Sequence, residues 1–362
     1  MHSRKIFNSS TCFSGALTLW NLFFEDSQVP IAKAKFKDMS FADDLKAYKC
    51  LKGNARNATA IKLANNCQVE LHKWGIANNV SFDPKKENIS VFSLRDPVGD
   101  GCKLLGVYFD TKLSMHAAIC TLKDEANWKL RTILRSNRYY QTDAMVNLWK
   151  ARLLGFIEYR TPAIYHAAGS SLDEVNRLQD RFLNAVNLTK EIAITEFKLA
   201  PLNSRRDMGM LGLIHRSVIG QGPSHFQKYF LRAPPQQRLH DREANRNHGR
   251  QLISHRKGRF PELVTNSVLG LVDVYNLLPA YVVSAPTVSL FQRRLQEMLV
   301  KYVREDVSEW WRMFCPRLPL HNHKLRSWRS WEGDYPNKSD ENIVFNDPFE
   351  SLDLLNDFFL SR

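Results

Sequence analysis

The chain has 362 residues, of which 44% are hydrophobic and 11% aromatic, and this suits packed domains better than a disordered tail. Lysine and arginine number 51 against 37 aspartates and glutamates, a formal net charge of +14. Such a surface attracts polyanions, nucleic acid first and an anionic membrane second. No apolar run predicts a signal peptide or a membrane span, so we expect an intracellular protein with no membrane partner.

The N-terminal region predicts a helix followed by a hairpin. Residues 14–26 read as a short buried helix with Ser14 as its N-cap, and we expect this helix to end before Pro30. Apolar and polar residues then alternate over 34–41 and over 44–51. Alternation of this kind predicts two strands, with Asp43 and Asp44 near the turn between them.

The remaining segments change from mixed α and β to helix near residue 110. A long helix is predicted over 54–78, followed by two β-rich runs at 89–94 and 103–109 with a Pro- and Gly-containing turn between them. Helical periodicity then covers 115–136, 142–168, 171–188, 204–220 and 286–313. The sequence therefore predicts an α+β fold in four parts: 1–110, 111–231, 232–331 and an acidic tail, 332–362.

The third part opens with a basic stretch, residues 232–260, in which eight Lys or Arg outnumber two acids. A charge excess of this size is typical either of a solvated linker or of a surface that touches nucleic acid. The sequence leaves both interpretations open.

The adjacent acids Asp43 and Asp44 also allow two interpretations. Ser40 followed by Asp43 fits a capping box, in which case the acids lie in the first turn of a helix and the protein is a helical scaffold. Alternatively, two carboxylates at a tight hairpin turn help to bind divalent metal ions for phosphoryl transfer, and Mg²⁺ suits such an oxygen site. The local pattern does not decide between them.

Several segments, taken in order, resemble the non-LTR (LINE-type) retrotransposon reverse transcriptases. "FADDL" resembles the metal-binding box of that family, "LWNLFFEDS" precedes it, and "HKWGIANNVSFDPKKENISVFS" and "LLGVYFDTKLSMHAAI" follow it with the spacing of the family. Later segments such as "LAPLNSRRDMGMLGLIHRSVIGQGP" are similar as well, so the resemblance covers roughly residues 14–300. It implies a partial palm of short antiparallel strands with helices over 1–110, then a mostly helical thumb and C-terminal region.

The resemblance implies a role for each matching residue. Asp43 and Asp44 would be the catalytic, metal-binding acids, with Asp43 shared by two Mg²⁺ ions. Phe41 would pack under the site, and Lys86 would lie near the incoming triphosphate. The residues that match the primer-grip pattern are Gly106, Asp110, Leu113 and His116. Their plain alternatives are, in that order, a turn glycine, a surface acid, a core leucine and a surface histidine.

The implied partners are an RNA template and a DNA primer, bound as an RNA–DNA duplex, and the implied compartment is the nucleus. The alternative is a protein without chemistry, whose basic residues bind nucleic acid through phosphate contacts.

We predict that the 362-residue chain has no polymerase activity on its own. The family's third metal-binding aspartate lies well upstream of the hairpin, whereas only 42 residues precede Asp43, and the family's P-Q-G loop is matched by Gly15 at most. We therefore interpret the chain as a truncated member of the family. A two-metal site that lacks a ligand neither positions nor neutralises the reacting phosphate. Extension of a DNA primer on an RNA template by the purified chain, abolished by Asp43→Asn, would contradict this prediction.

Overall fold

A computed structural model describes residues 20, 22–41, 44–53, 55–234, 248–255 and 261–318. The chain divides into two compact units between Leu113 and Ser114, and each unit is described by itself. The described residues combine helices with short antiparallel strands. The prediction of an α+β chain is confirmed at that level.

The described part of the N-terminal unit contains two hairpins, a short helical stretch at residues 22–25 and two further helices. Its elements are α1 (Gln28–Lys33), β1 (Lys37–Phe41), β2 (Asp44–Tyr48), α2 (Asn57–Ala77), β3 (Cys102–Leu104) and β4 (Val107–Phe109). The strands pair as β1–β2 and β3–β4 in two separate antiparallel sheets. α1 packs against both β1 and α2. Ile31 of α1 is buried, and the buried ring of Phe24 lies 5.7 Å from that of Trp74 in α2.

The helix predicted over 14–26 ends before Pro30, as expected, since its described helical residues stop at 25. Its description as buried is wrong for Leu22 and Phe23, which are exposed, and the strand predicted at 89–94 is also wrong. Pro30 lies inside α1, in the first turn, where a missing N–H is tolerated because the first amides of a helix have no intrahelical acceptor. The predicted strand at 89–94 contributes only an isolated bridge between Val91 and Val98.

The predicted strand at 103–109 is a hairpin. Leu105 and Gly106 both have positive φ, +46° and +80°, and they form the two-residue turn between β3 and β4. Positive φ at both central residues is the geometry of a type I′ turn, whose twist matches that of the flanking strands. The apolar run is therefore split at its centre.

The C-terminal unit is helical. Its described α-helices are α3 (His116–Arg135), α4 (Thr142–Trp149), α5 (Gly155–Glu158), α6 (Thr161–Ile164), α7 (Gly169–Ala185), α8 (Lys190–Thr195), α9 (Leu202–Val218), α10 (Pro261–Asn266), α11 (Leu271–Leu277), α12 (Ala280–Val283) and α13 (Val288–Arg304). A π-helical segment, Lys150–Leu154, joins α4 to α5, and 3₁₀ turns lie at Ser224–Phe226, Val268–Gly270 and Trp310–Arg312. The helices predicted over 115–136, 171–188 and 204–220 are confirmed, whereas the one over 142–168 is interrupted.

The core of this unit is centred on α9, which packs against α7, α11 and α13. His215 of α9 is buried and its ring stacks on Phe291 at 4.1 Å. Its Nε2 lies 2.9 Å from the carbonyl oxygen of Ala285, and its Nδ1 lies 3.1 Å from the Tyr275 hydroxyl. Because a carbonyl only accepts, the neutral ring donates from Nε2 and accepts at Nδ1. Burial lowers the pKa of His215 to about 4.

His215 is expected to make the stability of this unit depend on pH. A histidine with a lowered pKa in the folded state stabilises the fold above its unfolded pKa of about 6.5, and this contribution is lost as the pH falls towards 4. The difference in unfolding free energy between the wild type and His215→Leu should therefore shrink over that window, by at most about 1.4 kcal/mol per pH unit. Urea unfolding followed by tryptophan fluorescence measures it. A difference that stays constant between pH 6.5 and pH 4 would contradict the prediction.

A second prediction concerns two glycines of the N-terminal unit with positive φ. A Cβ on Gly101 (φ +91°) would meet the Phe109 carbonyl oxygen at 2.1 Å, whereas a Cβ on Gly106 (φ +80°) would meet nothing within 4 Å. Alanine at either position carries the left-handed backbone cost of about 1–2 kcal/mol, but only Gly101→Ala must also move a backbone oxygen. Hydrogen exchange of the amides in residues 88–109 should accelerate more in Gly101→Ala than in Gly106→Ala. Equal acceleration would contradict the close approach.

Candidate functional site

The FADD segment ends one strand and begins the next. β1 and β2 pair with Phe41 opposite Asp44, so only residues 42 and 43 connect the paired ends, and Asp43 lies outside the described residues. Two-residue connections are the commonest in antiparallel hairpins. The capping-box interpretation is wrong, because Asp44 belongs to a strand and no described residue between 35 and 49 is helical.

The register of the hairpin separates its acids onto two faces. Residues paired across an antiparallel ladder share a face, and neighbours along a strand alternate between faces. Phe41 and Asp44 therefore lie side by side, and both are exposed, Phe41 at 39%. Asp38 pairs with Ala47, which puts it on the other face. The described residues bring one carboxylate to the hairpin end.

The predicted Mg²⁺ site is not formed by the described residues. Within them, no group of three or more His, Cys, Asp or Glu side chains is placed to hold a metal ion. A pair of divalent ions needs several carboxylates, and Asp44 alone does not meet that requirement. Mg²⁺ binding stays a prediction that involves Asp43.

Lys86 lies in an exposed turn that follows α2. Its amide donates to the Asp83 carbonyl oxygen at 3.0 Å, and the next residue, Glu87, accepts from Gln68 of α2 and lies 3.0 Å from Nε2 of His72. These contacts fix the turn on the helix while the lysine side chain faces solvent. Among the described residues, no hydrogen bond or ion pair links Lys86 to Asp44.

The residues predicted for the primer grip fall into three places. Gly106 is in the β3–β4 turn, where its φ of +80° is sufficient reason for a glycine. Asp110 accepts from the Leu113 amide at 2.8 Å through its carbonyl oxygen and from the Lys112 amide at 3.1 Å through Oδ1. Leu113 is 42% exposed, so its interpretation as a core leucine is wrong. His116 is exposed at the start of α3, in the C-terminal unit.

Sequence reasoning missed a buried ionic network on α9. Arg205 pairs with Glu158, and both side chains are buried. The Tyr165 hydroxyl donates to Asp207 Oδ1 at 2.7 Å. Burial raises the pKa of Asp207 to about 7, against the opposing effects of that hydrogen bond and of Arg206. The network is closed to solvent and holds helices together. Three charged residues directly before the apolar run at 208–214 of α9 were the signal available in the sequence.

Part of the basic stretch, residues 232–260, is packed against the rest of the C-terminal unit. It is described at 232–234 and 248–255, where Arg232 and Leu252 form an isolated bridge. Leu252 and His248 are buried, and His248 Nε2 lies 3.0 Å from the Tyr275 carbonyl oxygen. Burial lowers the pKa of His248. The linker interpretation is therefore wrong for residues 248–255, which pack onto the C-terminal unit.

Comparison with protein-family models, with curated proteins and with solved structures finds no match to this chain. No helix in the described ranges combines the length and the apolar character needed to cross a membrane.

Proposed function

We propose that this chain is part of an RNA-directed DNA polymerase of the non-LTR retrotransposon type. In this proposal the N-terminal unit is the end of the palm and the C-terminal unit is the thumb with its basic region. The observation that carries the proposal is the hairpin: the FADD segment connects two paired strands, with Asp44 beside Phe41 at the end. The ordered series of resembling segments supports it independently.

In this proposal the chain binds an RNA template paired with a DNA primer. The proposed compartment is the nucleus. The formal net charge of +14 favours binding to phosphates through release of counterions. Mg²⁺ is the proposed metal, since it prefers carboxylate and phosphate oxygens. The acids of the hairpin would face the primer end, and Lys86 would face the incoming triphosphate.

The second candidate is a protein that binds nucleic acid without chemistry. The observations that favour it are the formal net charge of +14 and the basic stretch at 232–260, both of which attract phosphates. Both candidates predict affinity for an RNA–DNA duplex, but only the polymerase type predicts that the hairpin lies at the primer 3′ end.

We predict that a photoreactive nucleotide at the primer 3′ end will cross-link to the hairpin. The full chain is bound to an RNA–DNA hybrid with a recessed 3′ end, irradiated and digested, and the cross-linked peptides are identified by mass spectrometry. We expect peptides that contain residues 37–48. The control hybrid has the same nucleotide in the middle of the duplex and should leave these peptides unlabelled.

A matched pair of variants tests the metal. Asp44→Asn and Asp38→Asn remove the same charge from opposite faces of one hairpin. If Asp44 binds Mg²⁺ next to the primer end, Mg²⁺ should strengthen binding of the recessed hybrid in the wild type and in Asp38→Asn, but not in Asp44→Asn. Equal cross-linking of the hairpin to the 3′-end nucleotide and to the mid-duplex nucleotide would favour the second candidate. Lack of binding even at low salt, where phosphate-driven affinity is highest, would contradict both.

A further inference from the structure

The solvent-facing side of α3 ends in a group of arginines and aromatic rings. Trp128, Arg131 and Arg135 follow one another at helical steps of three and four residues and are exposed, so they lie on one face of the helix. A turn segment at residues 136–140 follows α3 and presents further exposed residues. The arginine–aromatic surface consists of Trp128, Arg131, Arg135, Arg138, Tyr139 and Tyr140.

The rings of this surface are far more exposed than the other aromatic side chains. Trp128 is 69%, Tyr139 70% and Tyr140 54% exposed, and no other aromatic residue in the described ranges exceeds 43%. Single exposed apolar side chains are common on proteins, but several together mark a binding site. Aromatic rings in such a place offer flat faces on which another ring can stack.

The charge of the surface is positive and uncompensated. The sequence from residue 126 to 142 contains no aspartate or glutamate, and in the described part of the chain Arg131, Arg135 and Arg138 form no ion pair with an acid. One of the two acids that precede it, Glu125, is already paired with Arg160 at 2.7 Å. The Arg138 guanidinium lies 4.6 Å from the ring centre of Tyr139, a cation–π contact that keeps the ring beside the charge.

From this combination we infer that the arginine–aromatic surface binds a single-stranded nucleic acid, with phosphates at the arginines and bases stacked on the rings. Stacking platforms next to cations are how proteins bind unpaired strands. In a duplex the faces of the bases are covered by their neighbours, so rings reach them only in an unpaired strand. An anionic membrane fits less well, because a helix at a membrane surface presents its apolar face, and the apolar face of α3 is buried in the unit.

The size of the surface matches a short length of strand. Seven helical steps of about 1.5 Å separate Trp128 from Arg135 by about 10 Å, and a stacked strand advances about 3.4 Å per nucleotide. The helical part therefore spans about three nucleotides. We assign the strand to RNA, a choice that rests on the proposed function, in which an unpaired RNA template leads into the duplex.

The stacking part of this inference is tested by replacing Trp128. Fluorescence anisotropy of a labelled adenine-rich RNA oligonucleotide, titrated with the full chain, should show an affinity about fivefold to a hundredfold lower for Trp128→Ala, the range typical of one stacked base. Trp128→Phe, which keeps a ring, should retain most of the affinity. Tyr229→Ala is the control, since Tyr229 is also exposed and has a lysine, Lys228, 4.8 Å from its ring; it should bind as the wild type does.

The phosphate part is tested through the salt dependence. Removal of two phosphate contacts in Arg131→Gln/Arg135→Gln should reduce the slope of log affinity against log salt by about 1.4. Trp128→Ala should leave that slope unchanged. Arg293→Gln/Arg304→Gln makes the same change of charge at two exposed positions of α13 and should leave the slope as in the wild type. A DNA oligonucleotide of the same sequence should bind equally well, because neither contact needs the 2′-hydroxyl.

Three results would overturn the inference. One is an RNA affinity of Trp128→Ala equal to that of Tyr229→Ala. Another is an affinity for duplex RNA that equals the affinity for the single strand and falls by the same factor in Trp128→Ala. The third is an oligonucleotide that fails to bind while vesicles with anionic lipid bind and lose affinity in Trp128→Ala. The cross-linking experiment tests the hairpin of the N-terminal unit, so either proposal can fail while the other stands.

Discussion

Charged residues on a buried helix determine how the C-terminal unit packs. Arg205, Arg206 and Asp207 lie on consecutive positions of α9 and are all buried. A buried charge costs several kcal/mol unless it is paired and hydrogen-bonded. The partners come from other elements, Glu158 at the end of α5 and Tyr165 after α6. These contacts tie α9 to α5 and to the segment that follows α6.

The elements that the sequence predicts well are those with one buried face. α2 and α3 each bury one side, and β1 alternates exposed with half-buried positions, so their apolar residues repeat with the period of the element. The turn at Leu105 and Gly106 could not be predicted in this way, because leucine rarely adopts a positive φ and the run around it is apolar on both sides. The hairpin of the candidate site was accessible to sequence reasoning through its alternation alone.

The parts that were missed depend on partners far away in the chain. Charged residues are usually exposed, so the buried state of Arg205 and Asp207 follows from Glu158 and Tyr165 and not from α9 itself. Trp128 presents the opposite case, because tryptophan is usually assigned to a core. Its position outside the buried stripe of α3, which contains Ile119, Leu122, Ala126, Leu130 and Ile133, was the signal that would have identified it as a surface residue.

Asp207 and His215 lie on the same helix and are shifted in opposite senses. Burial keeps Asp207 protonated up to about pH 7 and His215 neutral down to about pH 4, whereas their ordinary values are 3.8 and 6.5. When the unit unfolds at a pH between 4 and 6.5, the carboxyl gives up its proton and the imidazole takes one up. The two changes oppose each other, so the pair exchanges few protons with solvent in that range. Its contribution to the heat of unfolding there depends little on the ionisation enthalpy of the buffer.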